Sequence, residues 1–340
     1  MRYIGCKDNL LPFIEDAVLS RGIRTGTFAD LMAGTVSVGR RFKSLGFTVY
    51  SNDILAFSYV FSRSYIQSTH TPADLTDMLA ELNALPLQPG FIHRHYSEEG
   101  TRGAERPRRF FSNENAARID AIRNRIDEWR SERAISDDAF YGLLACLLEA
   151  VPGVSNTSGT YGAFLKHWDP RALKPLVLES PGPVTGPAGF AYRQDAADLA
   201  GKIVCDVLYL DPPYNTRQYA SNYHILETIA RWDNPAVYGV SGLRPWRAER
   251  SAWCRADSAL MELGRIVSTA QCRLLLLSYN CEGIMPRERI VETLQLRGTV
   301  EVLEQPYRRY RSDRDRESRR YASNARVRER LYVLTIEDTI

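Results

Sequence analysis

The chain opens with a helical apolar pattern followed by strand-like runs. Residues 8–20 place apolar side chains three and four positions apart, which predicts an amphipathic helix ended by Gly22. The segments predicted next are a strand and glycine turn over 26–34, a helix over 38–45 and a strand over 47–50. Residues 1–55 therefore predict a strand–turn–helix–strand unit.

Later in the chain, apolar runs again alternate with helical patterns. Strands are predicted over 190–193, 204–210, 273–279 and 331–336, and helices over 222–231 and 290–296. Because strands that alternate with helices form parallel sheets, we predict an α/β fold with a doubly wound, mostly parallel sheet.

The middle of the chain has a different pattern, which suggests an insertion. Residues 56–165 are mostly helical in pattern, with the clearest helices over 113–133 and 137–150. Proline and glycine are concentrated over 179–189, which predicts a linker. We therefore divide the chain into a first half over 1–55, a mostly helical insertion over 56–178, the linker 179–189 and a second half over 190–340.

Composition excludes several classes of protein. No apolar run approaches the roughly 20 residues that a membrane span needs. The six cysteines form no CxxC pair, so we expect reduced core residues of a cytoplasmic protein. His93 and His95 lack cysteine or carboxylate neighbours at ligand spacing, so we predict no metal site.

The strongest chemical signal is the end of the predicted strand 204–210. It stops in Asp211-Pro212-Pro213-Tyr214, where two prolines prevent the sheet ladder from continuing. Ligands bind at the carboxyl ends of strands in open α/β sheets. The Asp211 carboxylate and the Pro212 carbonyl suit the two N–H bonds of an amine conjugated to a ring, and Tyr214 suits stacking on that ring.

The first half carries a second signal. Asp53 lies 19 positions after the turn glycine Gly34, close to the spacing of about 20 at which a carboxylate binds ribose hydroxyls. This layout predicts an adenosine-containing cofactor, and dinucleotide-binding folds share it.

These motifs resemble those of S-adenosylmethionine-dependent methyltransferases that act on adenine N6 in DNA. Residues 211–214 match the DPPY signature of that family, although enzymes that methylate RNA bases or protein glutamine carry similar tetrapeptides. The segment 30–39 resembles the cofactor loop D-x-F-A-G-T-G-S-V-G, with Met32 in place of the aromatic and Val36 in place of the second glycine. A β-branched residue disfavours positive φ, so we expect Val36 to tighten the loop or weaken cofactor binding.

Motif order narrows the resemblance to the alpha group of these enzymes, in which a target-recognition insertion separates the cofactor half from the DPPY half. Tyr3 and Lys7 match the opening motif of that group, where an aromatic and a lysine contact the methionine end of the cofactor. Segments 214–219, 222–228, 159–166 and 277–280 resemble the FokI-type modification methylases. The likeness covers most of the chain and is weakest over 56–110, 232–270 and 311–325.

The resemblance implies a Rossmann-like methyltransferase fold, S-adenosyl-L-methionine as cofactor and a set of site residues. Those implied for catalysis are Asp211, Pro212, Pro213 and Tyr214. Those implied for cofactor binding are Tyr3, Lys7, Asp30, Ala33, Gly34, Asp53, Ile54, Asp195, Ala196 and Asp211. Between Asp195 and Asp198, we favour Asp195 as the contact to the cofactor adenine.

Basic residues are distributed unevenly. Of the 44 lysines and arginines 39 are arginine, the side chain suited to phosphates, and ten of them lie between 308 and 330 beside four acids. We predict that this stretch contacts the DNA backbone through Arg308, Arg309, Arg311, Arg314, Arg316, Arg319 and Arg320. An intramolecular salt-bridge network and a solvated tail are the alternatives.

The leading hypothesis is a site-specific DNA adenine-N6 methyltransferase that acts on a base flipped out of duplex DNA. It is expected to be a monomer that serves a restriction-modification system with a cognate endonuclease, or to be an orphan methylase. An RNA base N-methyltransferase is the first alternative. The second is a catalytically silent DNA-binding protein that retains the fold. The recognition sequence does not transfer from the resemblance.

Overall fold

The computed structural model describes residues 7–68, 72–180, 182, 184–307 and 327–337. They form two compact units. The sheet unit comprises the described residues of 5–54, 185–218 and 251–340, and the helical unit comprises those of 55–184 and 219–250. Each unit is therefore built from separate stretches of chain.

The sheet unit contains a seven-stranded sheet in the order β3-β2-β1-β4-β5-β7-β6. Its strands are β1 (Thr27–Asp30), β2 (Thr48–Asn52), β3 (Phe190–Tyr192), β4 (Val204–Leu210), β5 (Gln271–Asn280), β6 (Gly298–Tyr307) and β7 (Val327–Ile336). Strands β1 to β5 are parallel, whereas β7 runs antiparallel to both β5 and β6. The predicted doubly wound, mostly parallel sheet is confirmed.

Both faces of this sheet are buried, which explains why β4 and β5 have nearly continuous apolar sequences. On one face Leu208 and Leu275 lie in a cluster with buried residues of the helices over 196–200, 256–269 and 287–295. On the other face the rings of Phe28 and Phe42 stack with centroids 3.8 Å apart. The helices of the unit are α1 (Leu11–Leu19), α2 (Ser37–Ser44), α8 (Ala196–Ala200), α11 (Ala256–Thr269) and α12 (Arg287–Gln295).

The helical unit matches the helical pattern of the middle segment. Its helices are α3 (Ala56–Phe61), continued by a π-helix over Ser62–Gln67, α4 (Thr76–Ala84), α5 (Phe91–Tyr96), α6 (Asn113–Ser131), α7 (Asp137–Ala150), α9 (Tyr219–Asn222) and α10 (His224–Arg231). Ser112 and Ser136 cap α6 and α7 by accepting main-chain N–H bonds. The buried Asp120 carboxylate accepts three N–H bonds at the start of α5.

Short 3-10 segments connect several of these elements. They are Asp8–Leu10, Pro72–Leu75, Val151–Val154, Pro170–Leu173, Arg247–Glu249 and Ala252–Cys254. No described helix is long and apolar enough to cross a membrane.

Residues 219–250 lie in the helical unit, although the sequence division assigns them to the second half of the catalytic domain. The buried Arg123 side chain of α6 donates through Nε to the Ile229 carbonyl oxygen at 2.8 Å. The Tyr161 amide donates to the Asn222 carbonyl oxygen at 2.7 Å. These bonds join stretches that are distant in sequence, which a reading of local patterns does not detect.

Three elements of the sheet unit were not predicted, namely β6, the five-residue helix α8 and α11. Along β6, the side chains from Val300 to Gln305 are half-buried except that of Glu301, which is exposed. The strand therefore lacks the apolar run that identifies β4 and β5. The α11 sequence carries its buried side chains among several charged residues.

Candidate active site

A buried ionic cluster lies at the edge of the sheet where β4 ends. The Lys7 ammonium is 3.1 Å from Asp211 Oδ1 and 2.7 Å from Glu329 Oε1. Ser278 Oγ donates to the same Glu329 oxygen at 3.0 Å. The side chains of Lys7 and Glu329 are 7% and 6% exposed and that of Asp211 is 18% exposed, so this carboxylate is the most accessible of the three charges.

Strand directions explain why these residues meet. Asp211 directly follows β4, and parallel strands end at a common edge. Because β7 runs antiparallel, its amino end lies at that same edge, where Glu329 pairs in register with Asn280 of β5. Lys7 immediately precedes the 3-10 turn that leads into α1.

The cluster changes the protonation of its members. Burial raises the pKa of Asp211 to about 6, and the neighbouring Lys7 charge limits this rise. Burial by itself would lower the pKa of Lys7, but the charges of Asp211 and Glu329 raise it above its ordinary value. Lys7 is therefore a permanent cation, whereas Asp211 changes its charge near pH 6.

Asp30 forms a second buried acidic position at the end of β1. Burial raises its pKa to about 8, and the charges of Asp211 and Asp53 act in the same direction. Main-chain N–H bonds from Met32 and Gly39 oppose this rise. Its Oδ1 atom is buried without a hydrogen-bond partner, so Asp30 presents an oxygen suited to an N–H-bearing or cationic ligand. The positive charge of such a ligand would favour loss of the Asp30 proton.

The raised pKa of Asp30 predicts that its effect on the free energy of unfolding depends on pH. Between about pH 4 and pH 8, folded Asp30 keeps its proton while unfolded Asp30 has lost it, so the contribution of Asp30 to wild-type stability should fall as pH rises. An Asp30→Asn variant lacks this dependence. Without cofactor, its thermal midpoint relative to wild type should therefore rise steadily from pH 5 to pH 8. A difference that stays constant across this range would contradict the assignment.

The turn after β1 adopts a left-handed backbone at two positions. Gly34 has φ 53° and Val36 has φ 64°, even though Val36 is β-branched. The Val36 side chain is fully buried, and this packing offsets the strain of roughly 1–3 kcal/mol that such a conformation costs. Val36 therefore does not prevent the positive φ that its side-chain type disfavours. Its effect on cofactor affinity stays a prediction.

Main-chain bonds connect this turn to the end of β2. Asp53 Oδ2 accepts the Gly34 N–H at 2.9 Å, and the Ala33 amide donates to the Asn52 carbonyl oxygen at 2.9 Å. The buried Asn52 side chain donates to the carbonyl oxygens of Leu31 and Gln194 at 3.0 and 3.1 Å. Asn52 thus joins the ends of three strands and positions their acids.

The remaining predicted cofactor residues lie in the same unit. Asp195 caps α8, since its Oδ1 accepts the Ala197 and Asp198 amides at 3.0 and 3.2 Å. Ala196 is buried directly beside it. The Ile54 carbonyl oxygen accepts a bond from Arg193 Nε at 3.2 Å.

The residues after Asp211 form a supported turn. Pro212 is buried, and Pro213 is partly exposed. The Tyr214 carbonyl oxygen accepts the Ile284 amide at 3.1 Å, and its side chain packs partly against the sheet core. The main chain of Tyr214 is therefore held in place, while part of its side chain reaches the surface.

Several predicted contact residues lie outside the described residues, namely Tyr3 and Arg308, Arg309, Arg311, Arg314, Arg316, Arg319 and Arg320. Two other arginines of the 308–330 stretch are described. Arg328 and Arg330 each contact Glu304 of β6 at 2.9 Å, so an intramolecular ion-pair network accounts for both.

Sequence reasoning missed Glu329, Ser278 and Asn52 as parts of the site. Glu329 was counted only as a counter-charge of the arginine stretch. A longer predicted strand would have indicated that Glu329 is buried. Extending the strand 331–336 by two residues places Glu329 on the face of the buried Leu331.

Comparison with known proteins shows the family of this chain. The family model for D12 class N6 adenine-specific DNA methyltransferases matches residues 3–293. The type II methyltransferase M.NlaIII of Neisseria lactamica is 38% identical over 329 residues, which cover 96% of this chain and 96% of that protein.

Two longer relatives match over part of their length. The type II methyltransferase M.FokI of Planomicrobium okeanokoites is 38% identical over 94% of this chain, and the modification methylase StsI of Streptococcus sanguinis is 36% identical over 92%. The matched regions cover 51% and 49% of those proteins, so the chain spans about half the length of each.

Proposed function

Because this chain belongs to the D12 class of N6 adenine-specific DNA methyltransferases, we propose that it methylates N6 of an adenine flipped out of duplex DNA at a specific site. The observation that supports this most strongly is the accessible Asp211 carboxylate, followed by the supported turn to Tyr214 at the carboxyl edge of the sheet. Extruding the base costs a few kcal/mol, which contacts to the extruded adenine must offset.

We propose S-adenosyl-L-methionine as the methyl donor, and the described residues fit it. The unpartnered Asp30 oxygen suits the ammonium of its methionine part, and Asp53 suits its ribose hydroxyls. Lys7 suits its carboxylate, and Asp195 suits its adenine. When bound, the cofactor supplies a methyl group already activated by a positively charged sulfur.

The protein's own groups prepare the amine. The Asp211 carboxylate and the Pro212 carbonyl oxygen accept the two N–H bonds of N6, which draws the nitrogen lone pair out of conjugation with the ring. Tyr214 stacks on the flipped base and fixes its plane. Asp211 must be ionised to accept strongly, so catalytic efficiency should decline as pH falls through about 6.

Incubating the protein with labelled cofactor and separately with duplex DNA, single-stranded DNA and RNA tests this function. We expect label at adenine N6 in duplex DNA. Label in RNA alone would favour the RNA methyltransferase alternative. Binding to DNA without any label would favour a catalytically silent protein.

We further propose that the enzyme is a cytoplasmic monomer and the modification component of a restriction-modification system. The names of its relatives as type II methyltransferases and modification methylases support the second point. The same names support the proposal of a cognate endonuclease partner.

The arginines of 308–320 should contact DNA phosphates and leave sequence choice unchanged. Replacing Arg314, Arg316, Arg319 and Arg320 with alanine should weaken binding to all duplexes alike. It should also flatten the slope of log affinity against log salt by up to about 0.9 for each phosphate that the variant no longer neutralises. Binding titrations at several salt concentrations measure both effects. An unchanged slope, or a shifted sequence preference, would contradict this role.

A further inference from the structure

Glu329 is a buried acid to which the proposed reaction assigns no task. It lies between Arg328 and Arg330, whose side chains contact Glu304. Successive side chains of a strand point to opposite faces, so Glu329 points the other way, toward Lys7 and Ser278. Burying an unpaired carboxylate costs free energy. The hydrogen bonds from Lys7 and Ser278 offset that cost for Glu329.

The charges in this cluster do not cancel. Lys7 carries one positive charge, whereas Asp211 and Glu329 together carry two negative charges when both are ionised. Lys7 is closer to Glu329, at 2.7 Å, than to Asp211, at 3.1 Å. Its shorter contact is thus with Glu329, which has no substrate contact in the proposed reaction.

We propose that Glu329 is a positioning residue for methyl transfer, which holds Lys7 and limits how far that cation neutralises Asp211. This inference rests on the proposed function. Through it, the ionised Asp211 carboxylate stays more basic and is therefore a stronger acceptor for the adenine amine. Ser278 fixes the Glu329 carboxylate from β5 and so completes the arrangement.

Removing the Glu329 charge should lower the pKa of Asp211. The groups that act on Asp211 are Lys7, Glu329, Asp30 and Tyr209. The Tyr209 hydroxyl stays neutral because burial raises its pKa well above the ordinary value. Since Glu329 raises the pKa of Asp211 and Lys7 lowers it, loss of Glu329 leaves the lowering effect of Lys7 less opposed.

The test compares Glu329→Gln and Glu329→Asp with wild type in methylation of duplex DNA across pH. In Glu329→Gln we expect kcat to fall about fivefold, because Lys7 then neutralises Asp211 more fully. The acid limb of kcat/KM should move down by about one pH unit, in the range that a neighbouring charge produces. Glu329→Asp keeps the charge and should keep the wild-type limb while losing part of the turnover.

Glu304→Gln is the matched control, since it removes a carboxylate from the adjacent strand on the opposite face of the same hairpin. We expect wild-type turnover and a wild-type acid limb from it. A loss of activity in Glu329→Gln without movement of the limb would indicate a merely structural role and overturn the inference. Wild-type kinetics in that variant would overturn it as well.

Two further outcomes keep the test decisive. If Glu329→Gln does not fold, Glu329→Asp carries the test, and wild-type turnover in it would refute the positioning role. A wild-type protein that methylates no DNA would overturn the proposed function and this inference together. An active wild type with an unaffected Glu329→Gln overturns the inference alone.

Discussion

Replacing Asp211 with asparagine should lower methyl-transfer turnover by at least about 100-fold, equivalent to roughly 2.7 kcal/mol of transition-state stabilisation. Asparagine preserves the shape but removes the negative charge that accepts the amine protons most strongly. Lys7 keeps its contact with Glu329 at 2.7 Å in this variant, so its charge stays paired and the fold should be retained.

Single-turnover methylation measures this effect, and DNA binding by anisotropy shows whether recognition is preserved. Asp206→Asn is the matched control, because Asp206 lies on the same strand near its amino end. There its carboxylate accepts the Thr27 amide at 2.8 Å. We expect that control to remain near wild-type activity. Turnover of Asp211→Asn within about tenfold of wild type would contradict the proposed role.

Replacing Asp53 with alanine should weaken cofactor binding by about 10- to 100-fold, since this removes charge-assisted hydrogen bonds to two ribose hydroxyls. The same change removes the acceptor of the Gly34 N–H and so loosens the turn after β1. Asp53→Asn separates these contributions, because its amide oxygen can still accept from Gly34.

Calorimetric titration with S-adenosyl-L-methionine gives the affinities, and the thermal midpoint of each variant checks the fold. We expect Asp53→Asn to bind more tightly than Asp53→Ala and more weakly than wild type. Unchanged affinity in Asp53→Ala would remove this carboxylate from the site and weaken the assignment of the whole first half.

Sequence patterns predicted the elements that are buried on both faces. The runs that became β4 and β5 are apolar throughout because helices cover both sides of the sheet, so their pattern needs no tertiary information. Strand β6 was missed because its half-buried residues give no such run.

Sequence motifs predicted part of the candidate site. Asp30 is the last residue of β1, and Asp53 and Asp211 directly follow β2 and β4, so local sequence places all three at one edge of a sheet. The contact between Lys7 and Glu329 joins residues 322 positions apart. Strand periodicity can place Glu329 on a buried face, but local sequence does not identify Lys7 as its partner. Predicting this contact required knowing that β7 runs antiparallel beside β5.

Val36 shows a second limit of prediction from local sequence. Its side chain type argues against a left-handed backbone, yet the surrounding core buries it completely and the turn adopts φ 64°. Tertiary packing thus overrides a local preference at a position where the family pattern has glycine.

The two-segment construction of the helical unit limits how such enzymes can exchange parts during evolution. An exchange of residues 55–184 with a relative, by recombination at two points, would bring a foreign α6 against the resident α10. The bonds from Arg123 to Ile229 and from Tyr161 to Asn222 would then join residues of different ancestry. A chimera that inherits residues 219–250 with the larger segment keeps these contacts between residues of one ancestry, so this unit should diverge more by accumulated substitutions than by transfer of a single gene fragment.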